Sequence, residues 1–241
     1  MDRNDIFKRY ELKYLLTIEQ YNNILNSLKD KIILDKYGET LISNIYYDTP
    51  NYLLIRHSLE KPVYKEKLRI RGYGIIKDDS TVFIELKKKY DGIVYKRRVK
   101  SNYQESINLS SNMIPNSQIE KEIKYFFSFY KNLMPKMYLS YERTAYMGKE
   151  DNSLRITFDT NILWRNYDLD LRKGSYGTNV INPNQILMEI KINNAIPMWL
   201  SNILTNTKAN KTSFSKYGVA YLQLLKEKER EMEENEEVML L

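Results

Sequence analysis

The run YKEKLRIRGYG, residues 64–74, sets Lys65, Lys67, Arg69 and Arg71 at alternate positions, with Leu68 and Ile70 between them. Side chains alternate across a β-strand, so the four bases share one face and the aliphatic residues take the other. One charged strand face ordinarily looks out to water. At least five further segments repeat the arrangement, however, each with an apolar face and a face of basic residues with an occasional carboxylate. Charges matched on so many strands predict a lined cavity for a polyanion.

Working outward, Phe7–Tyr14 puts Arg9, Glu11 and Lys13 on one face and Tyr10, Leu12 and Tyr14 on the other. Thr17 and Gln20 form a capping-box pattern ahead of an amphipathic helix over about 18–30. Strands are predicted at 41–47, 63–71, 137–147, 154–159 and 186–192, and 81–100 reads as a hairpin turning at Asp91-Gly92. Helices are predicted over about 118–132, after Pro197, and from near Gly218 into the tail, with a short helical stretch between Pro50 and His57. No internal repeat or domain boundary shows, so 1–225 is expected to be a single domain, with 226–241 an acidic helical extension or tail. The fold class expected is α+β, an antiparallel β-barrel tunnel flanked by helices.

Composition removes several chemistries. With no cysteine and one histidine, His57, among 241 residues, thiolate metal sites, disulfides, cysteine nucleophiles and multi-histidine zinc centres are excluded. Any metal must then sit on carboxylates and substrate oxygens. No apolar run approaches the roughly 20 residues of a membrane span, and MDRNDIFKRY does not read as a signal peptide, so a cytoplasmic protein is expected. The net charge is +7, yet the last 16 residues hold seven Glu against three bases, which leaves +11 over residues 1–225. Such a body favours an anionic partner without choosing one. Most of the 21 tyrosines fall at core-alternating strand positions, so packing rather than nucleic-acid stacking is their expected role.

The inward candidates are Arg9, Glu11, Lys13, Lys65, Lys67, Arg69, Arg71, Glu85, Lys87, Lys96, Arg98, Arg143, Arg155, Glu189 and Lys191. Burying a row of unpaired cations is very costly, so their cavity must be wet, paired or filled by an anion. A polyphosphate offers oxygens to Arg forks and Lys point charges along its length. Glu11, Glu85 and Glu189 are either counter-ions to these bases or holders of Mg²⁺ or Mn²⁺. Removing Arg69 or Arg71 is predicted to leave the fold intact, because one like charge fewer relieves repulsion.

Eight segments then carry a family resemblance: FKRYELKY (7–14), NIYYDT (44–49), KLRIRGYG (67–74), FIELKKKYDGIVYKRR (83–98), YERTAY (141–146), LRITFD (154–159), LMEIKI (187–192) and SFSKYG (213–218). In this order, over nearly the whole chain, they resemble the VTC domain, the polyphosphate polymerase module of the vacuolar transporter chaperone complex, in the triphosphate tunnel metalloenzyme (CYTH-like) superfamily. Eukaryotic members add an SPX domain and transmembrane helices; this chain is similar to the standalone bacterial type. The resemblance implies a tunnel in which the γ-phosphate of ATP passes to a growing polyphosphate with Mn²⁺ or Mg²⁺. Other tunnels of the superfamily hydrolyse triphosphate, and a non-catalytic polyanion-binding module is the further alternative.

By the same resemblance Lys13, Arg69, Arg71, Lys87, Lys96 and Arg143 are the catalytic bases, and Glu189 is the metal ligand. Substrate binding is expected of Glu11, Lys67, Glu85, Arg98, Tyr141, Arg155, Lys191, Ser215 and Lys216. The implied partners are ATP and inorganic polyphosphate, with no nucleic acid, and any membrane-protein partner lies outside this chain.

Overall fold

The computed structural model describes residues 10–91, 93–110, 113–193 and 195–239; Arg9, the start of the first predicted strand and Gly92 of the hairpin turn lie outside them. In chain order the elements are β1 (Tyr10–Thr17), α1 (Ile18–Leu28), β2 (Ile32–Asp48), α2 (Leu53–Leu59), β3 (Tyr64–Tyr73), β4 (Thr81–Tyr90) and β5 (Ile93–Asn102). Then follow α3 (Tyr103–Ser106), α4 (Gln118–Phe129), β6 (Met134–Gly148), β7 (Arg155–Arg165), β8 (Thr178–Asn179), β9 (Gln185–Ile192), α5 (Met198–Asn206) and α6 (Lys216–Met239), with a 3-10 turn at Leu171–Lys173. Among the described residues nine strands form one antiparallel sheet in the order β1-β9-β7-β6-β2-β3-β4-β5, with β8 on β7, and within them this hydrogen-bonded path does not close on itself.

The chain divides into two compact units, and β2, β6 and β7 each give residues to both. The first comprises residues up to Ile42, Tyr141–Ile162 and Ile181–Phe214. Its core gathers Leu16 of β1, Ile24 and Leu28 of α1, Ile156 and Phe158 of β7, Met188 and Ile190 of β9, and Leu200 of α5. These are the apolar phases of the strands and the 3.6-residue stripes of the helices, which face each other because each must leave water. The capping box is present: Thr17 Oγ1 accepts from Gln20 N at 3.1 Å, and Gln20 Oε1 accepts from Thr17 N at 3.0 Å.

The second unit comprises Ser43–Ser140, Leu163–Val180 and Ser215–Leu241. Leu68 and Ile70 of β3 and Val82, Ile84 and Leu86 of β4 pack with Ile123, Phe126 and Phe127 of α4. The hairpin predicted at 81–100 is β4–β5, in continuous register from Thr81↔Asn102 to Tyr90↔Ile93. The turn Asp48-Thr49-Pro50 starts α2: Thr49 Oγ1 accepts from Leu53 N at 2.9 Å, and the Asp48 carboxylate accepts from Leu54 N and Ile55 N at 2.9 and 3.0 Å.

Two strands outrun their sequence signal. β2 begins at Ile32 rather than Leu41, and its alternation is broken by Gly38, which has φ +52°. β7 continues to Arg165 past Asn161, at φ +48°, where the side-chain phase is disturbed. Helix α6 starts two residues before Gly218, where Ser215 Oγ accepts from Gly218 N at 3.1 Å, and runs unbroken through the Glu-rich stretch.

Candidate functional site

In the second unit the antiparallel register sets the bases in rows. Lys67 faces Lys87, which faces Lys96; Arg69 faces Glu85, which faces Arg98; Arg71 faces Phe83. Residues directly opposite share a face and lie within reach of one another, so the alternation of three strands becomes one charged surface. Glu85 sits at its centre, only 1% exposed. Its Oε2 accepts from Arg69 Nε at 2.9 Å and Nη2 at 2.7 Å, Lys96 Nζ stands 2.5 Å from Oε1, and Arg71 Nε is 3.8 Å from Oε2. Burial pushes the Glu85 carboxyl up, but Arg69, Arg71 and Lys96 outweigh it and hold the group down to about 2. Burial lowers the Lys96 ammonium, and the contact with Glu85 offsets only part of this.

The arginines are fixed from a second side. Arg69 Nη1 donates to the Tyr46 hydroxyl at 2.8 Å, and Arg71 Nε donates to Asn44 Oδ1 at 2.8 Å; both acceptors stand on β2. Tyr46 in turn stacks on Tyr217, centroids 4.4 Å apart, whose hydroxyl donates to the buried Asp48 at 2.9 Å. Lys67 Nζ donates to Ser215 Oγ at 3.0 Å, so the predicted Ser215 meets the basic rows at the point where Lys216 opens α6. Arg98 is exposed and lies over the Phe83 ring at 4.3 Å. Lys87 is exposed between Lys67 and Lys96 in register, and Lys65 Nζ donates to Ser58 O at 3.2 Å, apart from the contacts that hold Glu85.

These contacts correct one expectation. Arg69 and Arg71 are not merely crowded like charges: both stand within ion-pair distance of the buried Glu85 carboxylate, and removing either strips a partner from it.

The first unit holds its own charged set. Lys13 of β1 faces Glu189 of β9, which faces Thr157 of β7, while Glu11 faces Lys191, which faces Arg155. Lys13 Nζ donates to Phe214 O at 2.8 Å and stands 3.1 Å from Glu11 Oε1 and 3.7 Å from Glu189 Oε1. Glu189 Oε2 lies 3.2 Å from Lys191 Nζ and 3.6 Å from Arg143 Nη2. Arg143 makes a fork to Asp159, Nε to Oδ1 at 2.6 Å and Nη2 to Oδ2 at 2.7 Å, and its guanidinium lies 5.1 Å from the Tyr141 ring centre. Burial works against the Arg143 charge, but Tyr141, Asp159 and Glu189 outweigh it and raise its pKa. Arg155 is engaged elsewhere, in an ion pair with Asp35 of β2.

Glu85 is thus a counter-ion. For a metal, the described residues contain no group of three or more His, Cys, Asp or Glu side chains placed to hold one. Glu189 offers a carboxylate, and Thr157 opposite it has a buried hydroxyl with no hydrogen-bond partner among the described residues. Hard oxygen donors of this kind suit Mg²⁺ or Mn²⁺ when substrate phosphates complete the shell. An open depression of about 720 Å³ at the start of α1, lined by Thr17, Ile18, Glu19, Asn182, Asn184 and Gln185, offers an anion no base.

The sequence reading missed Asn44, Tyr46, Asp159 and Asp48. Tyr46 and Asp48 stand in NIYYDT and Asp159 ends LRITFD, but nothing in those local patterns reveals that they meet Arg69, Tyr217 and Arg143.

The VTC domain family matches residues 8–225. Nothing among curated proteins matches the chain. Among solved structures, one described as a candidate adenylate cyclase from Bacillus halodurans aligns with a TM-score of 0.53 at 15% identity, over 85% of this chain and 92% of that one. A candidate adenylyl cyclase from Hippeastrum, described as revealing a dominant triphosphatase activity, aligns with a TM-score of 0.49 at 14% identity, over 88% and 93%. At such identities the first of these speaks for the fold alone. The chain belongs to the VTC domain family, on an antiparallel sheet of the triphosphate tunnel type.

Proposed function

We propose that the protein is an ATP-dependent polyphosphate polymerase acting in the cytoplasm. The observation that carries this reading is the Glu85 cluster, in which Arg69, Arg71 and Lys96 converge on one buried carboxylate in a chain of the VTC family. Three cations held together by an internal anion are arranged in advance for phosphate oxygens, so binding substrate costs little reorganisation. A terminal oxygen of polyphosphate attacks the γ-phosphorus of ATP, the bond from that phosphorus to the β,γ-bridging oxygen breaks, and ADP leaves. Positioning and charge neutralisation carry most of such a transfer, and no side-chain nucleophile is needed.

Lys13, Arg69, Arg71, Lys87, Lys96 and Arg143 are assigned to the transferring phosphates. Glu11, Lys67, Glu85, Arg98, Tyr141, Lys191, Ser215 and Lys216 hold the bound chain and the bases that grip it. Arg155, paired with Asp35, is the weakest of the proposed contacts. Glu189, with the Thr157 hydroxyl beside it, would hold Mn²⁺ or Mg²⁺, which supplies charge neutralisation on the phosphate oxygens.

The test is incubation with ATP and each metal. Long-chain polyphosphate formed in step with ADP supports the proposal. Orthophosphate without polymer makes the protein a triphosphatase, and polyphosphate binding without turnover, unchanged in Glu189→Gln, makes it a binding module.

A further inference from the structure

A second surface of the basic unit is built differently. On α4, Tyr125 and Phe129 lie one turn apart, stacked with centroids 6.0 Å apart, and are 66% and 61% exposed. Helix α4 is pinned to the hairpin beside it: Lys88 and Arg97 each stand 3.6 Å from Glu122, and the hydroxyls of Tyr130 and of Tyr64 on β3 donate to the buried Glu66 at 2.7 and 2.6 Å. Tyr64 faces Tyr90 across β3–β4, and Tyr95 faces Lys88 across β4–β5; these three tyrosines are also exposed. Their side chains share the α4 side of the sheet, the phase opposite to Arg69, Arg71 and Glu85. The result is an exposed aromatic stripe on α4 and a row of exposed tyrosines at the hairpin end on the same side of the sheet.

Most solvent-facing helix positions carry no large ring, and contiguous exposed aromatics mark a surface that something covers. The charges at its edge say what. Lys121, one turn before Tyr125, is exposed, and Lys124, the residue before it, is half-buried. Glu122 is ion-paired with Lys88 and Arg97, and Glu120, which accepts from Asn116 N at 2.6 Å, keeps its negative charge; Lys88, Arg97, Lys121 and Lys124 still outnumber the two carboxylates. Tyrosines bring an apolar ring and a wet hydroxyl, and a lysine beside them reaches phosphate groups while its stem stays in apolar surroundings. That combination fits the headgroup boundary of a bilayer. A second copy presenting the same patch would bring like charges together.

We propose that the α4–hairpin surface, centred on Tyr125 and Phe129, docks on an anionic phospholipid membrane. The rings enter the boundary between headgroups and acyl chains, and Lys121 and Lys124 engage the lipid phosphates. Attraction of each base to an anionic leaflet falls off within a Debye length, so salt weakens the docking. The proposal is independent of the polymerase reading, since the stripe occupies the sheet face away from Glu85.

The full chain is sedimented with vesicles of phosphatidylcholine alone and with vesicles that also contain phosphatidylglycerol. Binding is expected only to the second kind, weakening as salt rises. The double substitution Tyr125→Ser with Phe129→Ser leaves net charge and the phosphate-binding bases untouched, and it should lower the lipid affinity about tenfold. Its thermal unfolding should match that of the parent chain, because both rings are exposed. Lys121→Glu with Lys124→Glu should lower affinity at least as far. Equal vesicle binding by the aromatic double variant would mean that lipid attaches to the basic rows and would overturn the proposal. So would absence of binding to anionic vesicles, including the case where the stripe instead mediates a concentration-dependent dimer that the same variant abolishes.

Discussion

Arg69 and Glu85 form the central ion pair of the basic unit, with two guanidinium nitrogens on one carboxylate oxygen at 2.9 and 2.7 Å. They are opposite one another in the β3–β4 register, so the backbone pairing delivers the contact and the Tyr46 hydroxyl holds it from the second strand. Glu85 keeps Arg69, Arg71 and Lys96 together in the absence of substrate.

Replacing Glu85 with Gln should therefore destabilise the protein, because it leaves three cations crowded around a neutral amide. A loss of about 3 kcal/mol is expected, typical of breaking a buried ion pair. Tripolyphosphate should recover more of the melting temperature in Glu85→Gln than in the parent chain, since the anion takes over the missing charge. Calorimetry with and without tripolyphosphate measures both effects.

The same carboxylate predicts an acid limb of stability. Its folded-state value, about 2, lies below its ordinary 4.5, so the unfolded chain takes up the proton first as pH falls. The contribution is complete above about pH 4.5 and disappears as pH drops towards 2, an amount of about 3 kcal/mol. Denaturant unfolding between pH 6 and pH 2 should show this slope (~1 kcal/mol per pH unit within the window), and Glu85→Gln should flatten it.

Arg69→Ala should abolish turnover and also cost about 2 to 3 kcal/mol, because Glu85 loses its closest guanidinium and Tyr46 its donor. Arg69→Lys keeps the charge and loses the fork, so it should recover part of the stability and little of the activity. Parallel turnover assays and urea titrations separate the two roles; an unchanged midpoint for Arg69→Ala would show that Lys96 and Arg71 suffice for Glu85.

In the other unit, Asp159→Asn should release Arg143 from its fork. Asp159 is fully buried, so a loss of about 2 to 4 kcal/mol is expected with reduced turnover, while Asp35→Asn, next to the more exposed Arg155, should leave turnover within about threefold of the parent. Denaturant midpoints and turnover measured for the two variants side by side check this.

Much of this architecture is legible in the chain. The alternation in residues 64–71 and 81–100 names the faces of β3, β4 and β5, and the core confirms them: Leu68, Ile70, Val82, Ile84 and Leu86 are all buried. Thr17 and Gln20 announce the start of α1 for the same reason, since capping acts between residues three apart. Where backbone irregularity disturbs the period, at Gly38 and Asn161, β2 and β7 run further than their pattern shows.

The charges divide along the same line. Sequence by itself determined which residues are basic, which strand face they occupy and which family they belong to, because alternation and motif order are local properties of the chain. Tertiary structure alone decided that Glu85 pairs with Arg69 and Lys96, that Asn44, Tyr46 and Asp159 clamp the arginines, and that Arg155 is taken by Asp35. Electrostatic roles follow distance and burial, and those depend on how strands far apart in the chain are paired.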